Sequence, residues 1–149
     1  MAWAIDDSYQ QNRQFLKMCE AMWQRGEGWN FTIFVDGSAE GTVGLGGHEP
    51  LIKCAELGYW IRTGLAGRGL VTEAAAAAVT FGFDQIGLHR IELHAGLENF
   101  ASMRVAEKVG FQRVGVLRDG SRGEGGWYDC HLFDLLETDA RPSLAELSE

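Results

Sequence analysis

The sequence predicts an α/β (α+β) fold, a mixed and mostly antiparallel twisted sheet with helices on both faces. Two observations lead there. The elements run in the order α-β-β-β-α-β-α-β-β, three alternating strands in succession followed by a strand-loop-helix-strand crossover. The chain of 149 residues, 46% apolar and 11% aromatic, is enough for one packed core and excludes a disordered chain. One domain is therefore expected over residues 1–149, with its core at 29–136 and a tail at 138–149.

The first element is a helix at 9–25, because Phe15, Leu16, Cys19, Met22 and Trp23 recur on one stripe of a 3.6-residue period. Ser8 and Gln11 resemble a capping box ahead of it, and Gly26 and Gly28 end it. Residues 29–36 alternate, with Phe31, Ile33 and Val35 on one face and Asn30, Thr32 and Phe34 on the other. Asp36-Gly37 then opens a hairpin turn into a second strand near 42–48, and a third strand follows at 55–62. An alanine-rich helix is expected over 70–86, with Leu70, Ala74, Ala77, Ala78 and Phe81 along one side. A strand at 90–97 presents Ile91, Leu93 and Ala95 together, and a helix at 99–109 stops at Gly110. Strands at 111–117 and 127–136 close the pattern, joined by a turn-rich segment at 118–126, and a loose or short helical tail begins at Thr138.

Composition narrows the function. Thirteen Lys and Arg against 21 Asp and Glu leave a formal charge of −8, which disfavours a binder of duplex nucleic acid and suits a cationic partner. No apolar run is long enough to span a membrane, and no secretory signal opens the chain, so a cytoplasmic protein with no membrane partner is expected. Cys19, Cys54 and Cys130 are odd in number and widely spaced. They read as reduced thiols with no zinc spacing, so no metal site is expected. Glycine, at 20 residues, stands at about twice its average usage.

Those glycines gather where chemistry is expected. Residues 57–70, LGYWIRTGLAGRGL, run from a strand through a glycine loop into a helix. Free N–H groups at a helix start, with the positive end of the helix dipole, form an anion site, and Arg68 adds charge. Gly67 and Gly69 would supply the unusual dihedrals. The same pattern also describes a tight strand-to-helix turn. It lacks the ending of a Walker loop, and Thr72 stands where a dinucleotide fingerprint would place its third glycine.

A second segment, ENFASMRVAEKVGF at 98–111, joins GYWI at 58–61 and GRGLVTEA at 67–74. In that order, with Arg90-Ile91-Glu92-Leu93 between, these motifs resemble the GNAT N-acetyltransferase superfamily, in its Rim-type branch named for ribosomal-protein N-terminal acetyltransferases. The resemblance covers roughly residues 29–136. It implies the GNAT fold, with the GYWI strand splayed from its neighbour and the pantetheine arm of acetyl-CoA in the gap. It implies acetyl-CoA as cosubstrate, held by Trp60, Ile61, Arg62, Gly67, Arg68, Gly69, Leu70, Val71, Thr72, Asn99, Ser102 and Arg104. The backbone N–H near Ile61 would polarise the thioester carbonyl, the N–H groups of 67–72 would hold the pyrophosphate, and the Asn99 amide would bind pantetheine.

The sequence departs from the family pattern in places. Ala66 replaces the Gln or Arg expected before the loop glycine, and Val71 replaces a small residue. Ala106 stands seven residues after Asn99, where many relatives carry the tyrosine that protonates the leaving thiolate. Ser102 is the substitute by resemblance, or else a first-turn cap. The strand and helix with which the family opens are not supplied ahead of residue 9. The chain is then a shortened form or a piece of a longer one, and the sheet edge so exposed suggests a homodimer.

Acetyl transfer to an amine needs a proton acceptor. Glu56 is the first candidate and Glu92 the second, each with the alternative of an ordinary strand carboxylate. His94 shares a strand face with Glu92 and is a weaker alternative base. His48, His89 and His131 read as structural. Direct transfer in a ternary complex is expected. The acceptor is a cationic primary amine, a protein N-terminus or a polyamine-type molecule, with an aminoglycoside as an alternative. The loops at 46–53 and 118–126 would shape its side, with Trp23, Trp29, Trp127 and Tyr128 as walls and Asp119, Glu124 and Asp129 as charge. A non-catalytic acyl-CoA-binding regulatory module is the reading from another class.

Overall fold

The computed structural model describes residues 9–148, with side chains from residue 13 onward; the Ser8–Gln11 capping pattern lies outside them. The elements are α1 (Tyr9–Arg25), β1 (Trp29–Val35), β2 (Ser38–Glu49), β3 (Cys54–Ile61), α2 (Leu70–Phe81), β4 (Arg90–Gly96), α3 (Phe100–Val109), β5 (Gln112–Gly123), β6 (Gly126–Leu136) and α4 (Leu144–Leu147). Six strands form one sheet in the order β1-β2-β3-β4-β6-β5. All neighbours are antiparallel except β3 and β4. Among the described residues no helix is long and apolar enough to cross a membrane.

The β3–β4 pair sets up everything that follows. It is parallel and registers only at Cys54↔Arg90, Ala55↔Ile91 and Glu56↔Glu92. Beyond Glu56 the strands part, although β3 runs on to Ile61 and β4 to Gly96. The expected splay is therefore present, and it opens at the GYWI residues.

The core fills one face of the sheet. Leu45, Ile91 and Leu135 are fully enclosed there, as are Ala75, Val79 and Ala106 from α2 and α3. Alanines let α2 approach the sheet closely, and Gly82 permits the tightest point, since a Cβ there would stand 2.8 Å from Leu45 Cδ1. The expected helix to residue 86 is α2 followed by one π turn, Gly82–Ile86, which a left-handed Gly87 terminates.

The core-facing side of α2 differs from the expected stripe. Thr72, Ala75, Ala76, Ala78 and Val79 are buried. Ala77 is exposed, and with Leu70, Ala74 and Phe81 it borders a surface groove against Phe31 of β1. With alanine on both sides of the helix, periodicity had no contrast to read.

On the opposite face Phe15 of α1 stands with Thr42, Gly44 and Glu56. The α1 stripe is narrower than expected, because Leu16 is exposed and Trp23 packs on Phe31 and Phe81, at ring-centroid distances of 5.3 and 5.9 Å. Asp36 and Gly37, at φ of 50° and 81°, make the predicted two-residue hairpin. It brings the start of β2 forward to Ser38.

The largest correction is at 118–126. The segment is not a turn-rich connection but the far end of a β5–β6 hairpin, paired at Ser121↔Tyr128, Arg122↔Trp127 and Gly123↔Gly126. The register shifts between Leu117 and Ser121, where Asp119 has φ 50° and its N–H donates to Asp129 Oδ1 at 2.9 Å. Residues that favour turns here shape a bulge within a ladder. The tail carries α4, with a complete capping box between Ser143 and Glu146.

Candidate active site

β3 ends at Ile61, a short 3₁₀ turn covers Thr63–Leu65, and the chain reaches α2 through Gly67 and Gly69, at φ of 79° and 77°. A Cβ on either glycine would meet nothing within 4 Å. The left-handed dihedral, not space, is what calls for glycine here. Gly69 caps α2 without any side-chain hydrogen bond to the helix. The first N–H groups of α2 thus open onto the loop with the positive end of the helix dipole behind them.

The start of α3 faces this loop. Asn99 is its N-cap, and Asn99 Oδ1 accepts a hydrogen bond from Ser102 N–H at 3.1 Å. This removes the reading of Ser102 as the cap. The Ser102 hydroxyl instead lies 2.6 Å from the phenol oxygen of Tyr59, 43 residues away on β3. Ser102 is 8% exposed. Burial pushes the Tyr59 phenol above its ordinary value, and the hydrogen bond with Ser102 offsets part of that rise.

One cleft of about 430 Å³ collects these groups. Of the expected cofactor residues, Trp60, Ile61, Gly67, Arg68, Gly69, Leu70, Val71, Thr72, Asn99, Ser102 and Arg104 line it. Arg62 does not; its Nε meets Glu40 Oε2 at 3.0 Å on the β2 side. Tyr59 and Lys108 line the cleft and were missed. Lys108 stands four residues after Arg104 on α3, the spacing that places two cations on one helix face. With Arg68 they set three positive charges along the cleft.

The backbone of β3 can be followed across the gap. Arg62 N–H donates to Glu40 O of β2 at 2.9 Å. Successive residues of a strand point their N–H groups to opposite sides. Ile61 N–H is therefore turned away from β2, into the space β4 has left.

The other face of β3 carries the carboxylates. Glu56 and Glu92 are register partners, as are Glu92 and Asp134. His94 lies between the first two, with Nδ1 3.5 Å from Glu56 and Nε2 3.3 Å from Glu92. Arg90 bridges Glu92 and Asp134. The Glu56 side chain is 50% exposed and that of Glu92 24%, so Glu56 is the accessible member. It borders a trench of about 300 Å³ with Phe15, Asn30 and Thr42 at its sides and Gly44, Gly46 and Gly58 along its floor. Burial raises the Cys54 and Cys130 thiols above their ordinary values, and Glu92 beside Cys54 and Glu56 beside Cys130 add to it. Both shifts disfavour the thiolate.

Of the expected acceptor walls only Trp29 is buried, and Trp23, Trp127 and Tyr128 keep exposed faces. Trp29 is buried against His48, Trp23 packs on Phe31 and Phe81, and Trp127 lies under the Arg122 guanidinium. His48 holds Gly26 O at 2.8 Å and His89 meets Glu137 at 2.9 Å, both structural contacts.

The chain resembles known proteins at this site and across the fold. It is 32% identical over 105 residues to YdaF of Bacillus subtilis (strain 168), provisionally named a ribosomal N-acetyltransferase, covering 70% of this chain and 57% of that one. It is 29% identical over 110 residues to the ribosomal-protein-serine acetyltransferase of Escherichia coli (strain K12), covering 74% and 62% respectively. It therefore spans roughly three fifths of the length of these curated relatives. Among solved structures, Mycobacterium smegmatis RimJ in complex with CoA-disulfide superposes with a TM-score of 0.89 at 27% identity, covering 99% of this chain and 71% of that one. The acetyltransferase (GNAT) domain model matches residues 1–112, three quarters of the chain, and the chain belongs to that family.

Proposed function

We propose that the protein is an acetyl-CoA-dependent N-acetyltransferase that moves the acetyl group directly to a primary amine of a cationic acceptor. The observation that carries this reading is one cleft uniting the glycine loop, the α3 N-terminus and the β3–β4 gap, with a half-exposed carboxylate on the other face of the same strand.

Each group has a task in that reading. The N–H groups of Gly67–Thr72 hold the diphosphate, and Arg68, Arg104 and Lys108 neutralise the phosphates. Asn99 has committed Oδ1 to Ser102 N–H, so its amide N–H₂ is what remains for a pantetheine carbonyl. Ile61 N–H donates to the thioester carbonyl and to the oxyanion that forms there. Glu56 takes the proton the amine sheds as its nitrogen bonds to the carbonyl carbon. The C–S bond then breaks with its electron pair on sulfur, and the Ser102 hydroxyl hydrogen-bonds to that sulfur. Glu56 is favoured over Glu92 because both meet His94 but only Glu92 is also held by Arg90, and Glu92 is the less exposed.

The trench beside Glu56 supports a protein N-terminus as acceptor. Gly46 and Gly58, where a Cβ would meet nothing within 4 Å, leave an open strip along which an extended backbone can lie, with the terminal amine at Glu56. The ribosomal-protein acetyltransferases among the relatives point the same way. A polyamine is the second reading, favoured by Glu56, Glu92 and Asp134 on one face. The test is thiol release from acetyl-CoA against N-terminal peptides, polyamines and aminoglycosides. Turnover with peptides above the other amines is expected. Acetyl-CoA binding with no release for any amine would overturn the enzyme reading in favour of a binding module.

A further inference from the structure

We propose that Tyr59 is a positioning residue for the leaving-group side of the transfer: its phenol donates to Ser102 Oγ and thereby turns the serine's own proton into the cleft, toward the departing sulfur. This rests on the acetyl-transfer reading above.

The helix position that would carry a phenol holds Ala106, which is fully enclosed in the core. A methyl group there offers no proton. The phenol comes instead from β3, at the stretch where that strand has parted from β4. Tyr59 Oη lies 2.6 Å from Ser102 Oγ and 3.3 Å from the Ser102 carbonyl oxygen. The first distance is at the short end for O–H···O bonds.

A phenol is a far stronger acid than an alcohol, so of the two hydroxyls Tyr59 is the better donor, and Ser102 Oγ at 2.6 Å is a nearer acceptor for its single proton than the Ser102 carbonyl oxygen at 3.3 Å. A serine oxygen has one proton. Once that oxygen accepts from Tyr59, its proton must seek another acceptor, and the cleft that Ser102 lines is where one can arrive. Negative charge arriving on sulfur selects the same arrangement. Desolvation keeps the phenol protonated through neutral and mildly alkaline pH, so the donor is not lost when the cleft is loaded. The step balances without a proton leaving either residue. The C–S bond breaks, the electron pair stays on sulfur, and Ser102 O–H stabilises the thiolate until it departs or is protonated from solvent.

The test is a double-mutant cycle on thiol release, with a titration of bound CoA beside it. Tyr59→Phe should lower kcat about 10-fold, the size expected for one hydrogen bond acting in the transition state. KM for acetyl-CoA should not change. Ser102→Ala should cost about 100-fold, and the double variant should match Ser102→Ala alone, because Tyr59 acts only through Ser102. The thiol of bound CoA, followed by thiolate absorbance against pH, should titrate higher in Tyr59→Phe than in the parent protein. Arg68, Arg104 and Lys108, the cations lining the cleft, act equally in both proteins and cancel in that comparison. An undiminished kcat, an additive cycle, or identical CoA titrations would overturn the proposal. If no amine supports turnover, the enzyme reading falls while the CoA titration still decides the role of Tyr59. If CoA itself does not bind, both fall.

Discussion

The two faces of β3 are built from different materials. On the cleft side the groups proposed to bind the cosubstrate are mainly backbone: N–H groups at the start of α2, an N–H of β3, and glycines whose left-handed dihedrals shape the loop. On the trench side they are side chains, with Glu56, His94, Glu92, Arg90 and Asp134 in contact across three strands. A backbone site depends on shape more than on any one side chain. A side-chain site depends on each partner. The cleft should therefore fail when geometry is changed, and the trench when a single functional group is removed.

The sharpest way to break this contrast is at Gly69. Gly69→Val places a β-branched residue at φ 77°, where only glycine is at ease. The loop must then rearrange, losing one or two charge-assisted hydrogen bonds at about 1.5–3 kcal/mol each, or about 100-fold in acetyl-CoA affinity by calorimetry. Retained affinity would mean that the loop is only a turn.

On the trench side, Glu56→Gln keeps the shape and removes the base. A fall in kcat of about 100-fold is expected, with acetyl-CoA affinity unchanged. A coupled loss of both would show that the two faces are not separable. Turnover unchanged across pH would remove Glu56 from the chemistry.

Asn99→Ala tests a residue that serves both fold and cleft. Loss of the cap should cost about 1 kcal/mol of stability in urea unfolding. Acetyl-CoA affinity should fall by about 10-fold with the amide donor. A stability loss alone would make Asn99 a cap and nothing more.

The smallest effect is a pH dependence. Burial raises the thiols of Cys19, Cys54 and Cys130, so the native state binds these protons more tightly than the unfolded chain. Their contribution is complete below the free thiol value of about 8.5 and is lost as pH rises through the native values. The urea midpoint should thus drop between pH 7.5 and 10, and Cys54→Ala should flatten part of the drop. Two of these thiols lie by the trench carboxylates and none lines the cleft, so the flattening should leave acetyl-CoA affinity untouched.

The same contrast explains what could be read without coordinates. A required positive φ is written into the chain as glycine, so Gly67, Gly69 and Gly110 declared their tasks, and Asp36-Gly37 declared its hairpin. The contact of Tyr59 with Ser102 spans 43 residues, and nothing local records it. The His94 bridge depends on a parallel register between β3 and β4 that no single strand reveals. At 118–126 Asp119 and Gly126 carried a true local signal, a positive φ, but the hairpin ladder overrode its usual meaning. In α2 the many alanines allowed close packing and erased the amphipathic contrast that would have shown which side packs.

The early parting of β3 and β4 has a consequence for stability as well as for chemistry. Paired strands protect their amides, and past Glu56 each of these two has lost that protection on the side facing the gap. A ligand lying there restores it. Amide exchange at Ile61 and along the outer half of β4 should be fast in the empty protein and slow on saturation with CoA. By mass action, CoA at 100 times its Kd should add about 2.7 kcal/mol to the unfolding free energy. Thermal stability would then report the occupancy of the fork, and resistance to proteolysis should rise and fall with the supply of the thioester.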